Sequence, residues 1–231
     1  MYPQLSPFDE AALESALKLR DADPSVRISA LVAAASAQDP LLKHVASFRL
    51  DQVSAFDSTR WPAWNSAALA AALAARVQAL AAPPDLVLLG REFGDLDDGS
   101  LPPTLAHALT WTFSSLVLNL AAAADGGVLL LRQQGAVQEH RQLALPLLAA
   151  VTNHARNRLR HPLLKNVMAA RKMDFALSAL QEAAEAPALR LTGAAPATVA
   201  ERSSACRMLG GGAAAQAREL ATLLLRSGEP A

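Results

Sequence analysis

The chain has 231 residues, of which 52% are hydrophobic and 18% are charged, and its formal net charge is zero. This length suits one substantial domain with an arm, and the composition is typical of a globular protein with a well-filled core. The balanced charge argues against a general nucleic-acid or membrane-surface binder, because such binding relies on excess positive charge. With one cysteine, Cys206, and no apolar run of membrane-spanning length, we expect no internal disulfide, no membrane insertion and a cytoplasmic location.

The first part of the chain predicts alternating helices and strands. Ser6 as N-cap, Pro7 at the first helical position and acidic residues in the first turn predict a helix start. The apolar run at 86–90, which ends in glycine, is typical of a buried parallel strand. The full set predicted here is a helix from residue 7, a strand over 26–32, a helix over 40–48, an edge-like strand over 51–56, a helix over 66–80 and a strand over 86–90.

An acidic, glycine-containing loop follows residue 90, and a predicted helix start follows the loop. Ser100 can act as N-cap, and Pro102 supplies a fixed φ near the first turn. A strand, a polar loop and a helix N-terminus make the usual geometry for holding an anion at the carboxyl end of a parallel sheet. Strand-like runs follow at 113–120, 127–133, 137–143 and 149–152, and the glycine turns between the first three predict an antiparallel addition.

Together these patterns predict an α/β fold: a doubly wound, mainly parallel sheet with an antiparallel extension and a C-terminal helical arm. We expect the domain to cover residues 1–183, and a linker with the arm to cover 184–231. A helix is predicted over 213–225, directly after three glycines. A solitary terminal helix needs a surface to pack against.

Three stretches resemble the small (beta) subunit of electron transfer flavoprotein. They are Ser-Pro-Phe-Asp-Glu at 6–10, the strand at 86–90 with Asp-Leu-Asp-Asp-Gly at 95–99, and the run 160–172. The third is the most specific, and it keeps the family residues Arg160, Leu164, Asn166, Met168, Ala170, Arg171 and Lys172 in register. The resemblance implies an adenine-nucleotide alpha hydrolase-like fold. It also implies an electron carrier subunit rather than an enzyme, which passes electrons from flavoprotein dehydrogenases toward a quinone reductase.

The resemblance also implies cofactors. FAD is held mostly by the large (alpha) subunit, and ordinary members bind AMP on the small subunit. The positions implied here are Ala33, Ala34, Asp98, Gly99, Ser100 and Leu101. Ala34 and Pro102 stand where the family has glycine, and Ser100 stands where it has glutamine. The family strand that precedes the first helix is not found, so either the subunit does without it or the start of the chain is truncated. The changes at Ser100 and Pro102 weaken phosphate binding, because a proline has no backbone N–H and does not let a ligand approach as glycine does. A scaffold-only paralogue without AMP is therefore an open alternative.

Residues 160–172, together called the basic segment, match the family's docking loop for dehydrogenases, in which Leu164 takes the position of an apolar anchor. The implied partner-binding residues are Arg160, Leu164, Lys165, Asn166, Met168, Arg171 and Lys172. An apolar anchor ringed by cations suits a transient complex. The competing interpretation is a buried stripe, because Leu163, Leu164, Val167 and Met168 recur at helical spacing. Nucleic-acid binding is disfavoured, since Phe175 is the one nearby aromatic side chain that could stack on a base.

Other chemistries find little support in the sequence. The five histidines show no metal-ligand spacing, so no metal site is predicted. Asp95, Asp97 and Asp98 before a helix start are favoured without any ligand. Cys206 beside Arg207 has no partnering base, so no catalytic residue is predicted. A stand-alone nucleotide-binding or regulatory module resembling universal stress proteins remains an alternative, although it needs an intact phosphate loop.

Overall fold

The structure is a computed structural model that describes residues 5–61, 65–92, 99–181, 193 and 208–226. The helices in these ranges are α1 (Pro7–Ala22), α2 (Pro40–Ala46), α3 (Ser66–Gln78), α4 (Leu101–Leu109), α5 (Leu164–Ala170) and α6 (Ala213–Arg226). The strands are β1 (Ser29–Ala34), β2 (Gln52–Asp57), β3 (Leu86–Gly90), β4 (Thr112–Ala122), β5 (Val128–Gln134), β6 (Val137–Leu143), β7 (Leu147–Val151) and β8 (Leu177–Ser178). Apart from β8 and the short α5, each was predicted from the sequence to within a few residues.

Local hydrogen bonds explain why the first two helices begin where the sequence predicted. The Ser6 hydroxyl accepts the N–H of Asp9 at 3.0 Å, and the Asp39 carboxylate accepts the N–H of Leu41 at 2.9 Å. Each capping residue is followed by a proline, whose missing N–H costs nothing at the first helical position. Both predicted helix starts are confirmed.

The strands form two sheets. The first has the order β1-β2-β8 and is parallel throughout. The second has the order β3-β7-β4-β5-β6, in which β7 runs parallel to both β3 and β4 while β4, β5 and β6 are antiparallel. The predicted α/β class and antiparallel extension are confirmed. The prediction of β2 as an edge strand is wrong, because Leu177 and Ser178 of β8 pair with its second side.

The strands of the predicted single sheet form two separate sheets, in which β1 and β3 are edge strands. Among the described residues each of these strands has a hydrogen-bonded neighbour on one side only. Apolar packing spans the division instead, because Leu73 of α3 and Leu105 of α4 share one buried cluster with Phe56 of β2 and Leu148 of β7. Periodicity identifies strands but not their neighbours, so the sequence could not reveal this division.

Helix α1 covers the opposite side of the second sheet. Ala11 and Ala12 are buried against residues of β4, β5 and β7. One turn later Leu17 packs with Ile28 and Phe48, which flank β1 and α2. This helix therefore contacts the second sheet and the residues that flank β1 and α2, and its first turn lies near the carboxyl end of β3.

The chain divides into two compact units, Met1–Leu189 and Arg190–Ala231. The described part of the second unit contains α6, which confirms the helix predicted there, and Leu220 and Leu225 are 47% and 78% exposed. The boundary predicted between residues 183 and 184 lies outside the described residues and stays a prediction. None of the described helices is both long enough and apolar enough to cross a membrane.

Candidate functional site

Among the described residues predicted to bind a nucleotide, Ala33 and Ala34 lie at the carboxyl end of β1, and Gly99, Ser100 and Leu101 lie at the start of α4. Ala33 is half-buried and packs against the buried cluster that holds Leu73 of α3 and Leu105 of α4, which we call the α3/α4 cluster. Ala34 is fully buried and offers no surface to a ligand. Gly99 lies beside the backbone carbonyl of Arg91. Asp98, which was predicted to contribute, lies outside the described residues.

The first turn of α1 closes the carboxyl end of β3. The Gly90 N–H donates to a carboxylate oxygen of Asp9 at 3.2 Å, and the other oxygen of Asp9 accepts from the Ser6 hydroxyl at 2.8 Å. A Cβ added to Gly90 would lie 2.8 Å from the backbone nitrogen of Asp9 and 3.0 Å from the carbonyl carbon of Phe8. Glycine is therefore required here for the close approach of two backbones. The sequence predicted the helix that begins at Pro7 and the strand at 86–90, but not the contact between them.

We expect Gly90→Ala to destabilise the fold by about 1–3 kcal/mol, as overpacking typically does, because the new methyl group meets backbone atoms that cannot rotate away. Urea denaturation followed by circular dichroism measures the change. Gly212→Ala is the matched control, because a Cβ there meets nothing within 4 Å. A Gly90→Ala variant as stable as the parent would contradict the close backbone contact between α1 and β3.

The start of α4 differs from the expected cap. Ser100 occupies the N-cap position but makes no capping hydrogen bond, so the predicted role is wrong. An N-cap side chain bonds the N–H of the second or third helical residue, and these are Pro102 and Pro103, which have no N–H. The Ser100 hydroxyl pairs with that of Ser66 instead, and the Thr104 N–H donates to the Ser100 carbonyl at 3.1 Å.

These contacts bear on whether an AMP phosphate fits. A helix N-terminus binds an anion through its first free N–H groups, but two of the first three helical residues of α4 are prolines. The N–H of Gly90 is already bonded to Asp9. Arg91 adds a cation whose Nε has no hydrogen-bond partner among the described residues, but the same guanidinium contacts the Glu92 carboxylate. The described residues therefore do not fit a phosphate group.

The basic segment presents apolar side chains to solvent. Leu163, Leu164 and Met168 are 61%, 77% and 49% exposed. The interpretation of these residues as a buried stripe is therefore wrong. Helix α5 packs on α2, and among its residues Ala170 is the buried one. Helical spacing alone could not separate the two interpretations, because a short helix on the surface can carry the same pattern.

The polar residues predicted to bind a partner divide into two groups. Lys165, Arg171 and Lys172 are exposed, as Leu164 is, and Asn166 is half-buried. Arg160 instead faces α1, where its guanidinium contacts the carboxylates of Glu14 and Asp21. The sequence placed Arg160 in the motif but gave no sign of these contacts.

Comparisons with known proteins agree with the resemblance found in the three stretches. A family model described as the electron transfer flavoprotein domain matches residues 3–201. The chain belongs to the electron transfer flavoprotein family. It is similar to the mitochondrial electron transfer flavoprotein subunit beta of Oryza sativa subsp. indica, with 29% identity over 177 residues, which cover 72% of this chain. The chain spans 65% of the length of that relative.

The described part of the chain contains no cluster of metal-ligating side chains. In the ranges that the structure describes, no group of three or more histidine, cysteine, aspartate or glutamate residues could hold a metal ion.

Proposed function

We propose that the chain is the small subunit of an electron transfer flavoprotein-like heterodimer that accepts electrons from flavoprotein dehydrogenases and passes them toward a quinone reductase. Membership of the family and the similarity to a beta subunit support a role in electron transfer. The observation that carries the docking part is the exposure of Leu164, at 77%, in a segment whose Lys165, Arg171 and Lys172 are also exposed.

An exposed leucine in a segment with exposed cations has a definite use in a short-lived complex. Burying a leucine side chain in a partner's pocket contributes about 1.5–3 kcal/mol, which is enough to orient a complex but allows rapid release. The positive charges of the basic segment raise the encounter rate with an acidic surface. The partner's contact surface is therefore an apolar pocket with an acidic rim.

The large subunit enters the proposal through the cofactor and the arm. FAD, held mostly by that subunit, would supply the group that accepts and donates electrons, while this chain contributes docking and scaffold. Helix α6 exposes Leu220 and Leu225, and Met208 shortly before it is 86% exposed. These apolar side chains support packing of the arm on another protein, and in this proposal that protein is the large subunit.

The form of the subunit that the geometry favours is one without AMP. Pro102 and Pro103 remove N–H groups from the start of α4, and Asp9 occupies the N–H of Gly90. Ala34 offers no exposed surface. We therefore propose that the small subunit serves as a scaffold and a docking surface, without a nucleotide of its own.

Co-expression with a candidate large subunit tests the proposal, followed by size exclusion, a flavin absorbance spectrum and extraction of bound nucleotides. We expect a yellow heterodimer with one flavin and no stoichiometric AMP. A folded, colourless chain that elutes alone would contradict the electron-transfer role. A yellow heterodimer with one AMP per complex would overturn the AMP-free form and leave electron transfer intact.

A further inference from the structure

The basic segment begins at an ion network with α1. Glu14 is 5% exposed, and its carboxylate accepts from Arg160 at Nη2 (2.8 Å), at Nε (3.0 Å) and at the backbone N–H (3.1 Å). Nη1 of the same guanidinium lies 2.6 Å from the Asp21 carboxylate. Hydrogen bonds that the Arg160 guanidinium donates to the Glu14 carboxylate raise the pKa of Arg160 above its ordinary value. A forked pair of this kind fixes direction as well as distance.

The network is one part of a polar stripe along α1. Glu14, Lys18 and Asp21 follow at spacings of four and three residues, which places them on one face of a helix. Lys18 donates to the backbone carbonyl of Arg156 and, at 3.1 Å, to the side-chain oxygen of Asn157. Asn157 is 1% exposed and donates to the Leu118 carbonyl of β4 at 2.6 Å. The stripe therefore holds residues 156–160 against α1, and the hydrogen bond from Asn157 to Leu118 holds them against β4.

The other end of the basic segment is held by contacts that do not involve α1. Lys43 of α2 donates to the backbone carbonyl of Arg171 at 3.3 Å and to that of Met173. Its ammonium group also lies 5.4 Å from the centre of the Phe175 ring. The exposed Leu163 and Leu164 thus sit between two anchored ends.

We propose that Glu14 and Arg160 are positioning residues, which fix the orientation in which Leu163 and Leu164 meet a partner. In this assignment Arg160 acts through α1 and does not itself contact the dehydrogenase. A segment ordered before binding loses less conformational entropy when it docks, so the complex forms at lower partner concentration. The docking consequence rests on the proposed function, whereas the ordering of the segment does not.

Hydrogen exchange measured by mass spectrometry on the full-length chain tests the ordering. In Glu14→Gln we expect amide exchange across 158–168 to rise at least tenfold, while β7 keeps its protection. Arg160→Lys should behave in the same way, because a lysine retains the charge but cannot form the forked contact. Glu10→Gln, the same chemical change one turn earlier on α1, should leave exchange at 158–168 as it is in the parent.

Two exchange results would overturn the proposal. One is unchanged exchange at 158–168 in both variants. The other is an equal rise throughout the chain, because it would mean that Glu14 supports the fold as a whole and does not act on the segment.

The docking consequence is tested in the reconstituted heterodimer with a dehydrogenase that reduces it. Glu14→Gln should raise the KM for that dehydrogenase about tenfold at unchanged kcat, and an unchanged KM would overturn the positioning role. If the parent heterodimer accepts no electrons from any flavoprotein dehydrogenase, the proposed function fails, and the exchange experiment still decides whether the segment is ordered by Glu14 and Arg160.

Discussion

Leu164→Ala is expected to lower kcat/KM for electron transfer from a flavoprotein dehydrogenase to the heterodimer by about 30-fold. This is the effect of losing about 2 kcal/mol at a central anchor of a protein interface. The loss should fall on KM, because the side chain orients the encounter and takes no part in the redox step. Steady-state reduction of the heterodimer at varied dehydrogenase concentration measures it.

The chain offers a matched control for this substitution. Leu129 on β5 is 46% exposed and lies outside the basic segment, so Leu129→Ala removes the same atoms from another surface. We expect it to leave kcat/KM within twofold of the parent, and both variants should keep the parental melting temperature. Equal losses in the two variants, or no loss in Leu164→Ala, would refute the assignment of Leu164 as the anchor.

Leu148→Ala is expected to destabilise the fold by about 2–5 kcal/mol, the range for large-to-small changes in well-packed cores. Leu148 lies on β7, between β3 and β4, and is 0% exposed. Its side chain joins a cluster that also holds Phe56 of the other sheet. Denaturant titration gives the free energy of unfolding, and flavin retention during heating gives a second readout in the heterodimer.

The expected loss is large against the total stability of a typical domain, about 5–15 kcal/mol. Leu129→Ala again serves as the control, and a surface change of that kind usually stays within about 0.5 kcal/mol. A Leu148→Ala variant that unfolds at the parental denaturant concentration would contradict the placement of Leu148 in a well-packed core.

Local chemistry made part of the fold predictable from the sequence. The helix starts at Pro7 and Pro40 follow from capping residues whose partners lie two or three residues away. The strand β3 follows from a short apolar run between turn residues. Ser100 shows the limit of the same logic, because a serine before a helix predicts a cap only if the next residues carry N–H groups, and two of them are prolines.

Long-range pairing made the rest unpredictable. The contacts of Arg160 with Glu14 join residues 146 positions apart, and no spacing rule connects them. The two-residue strand β8 is too short for any periodicity to mark it. The family resemblance did place Leu164 at an anchor position, but whether that leucine was exposed could be known only once α5 had been packed on α2.

The separation of the strands into two sheets has a consequence for how the protein unfolds. In the described residues no strand pairing joins the two sheets, so side-chain packing, not a continuous set of backbone hydrogen bonds, links the two halves of the domain. Such halves can lose structure as separate cooperative units with different free energies of opening. The half that contains β1, β2 and β8 has the fewer strands, and we expect it to open first under mild denaturant, before the five-stranded half that contains β7.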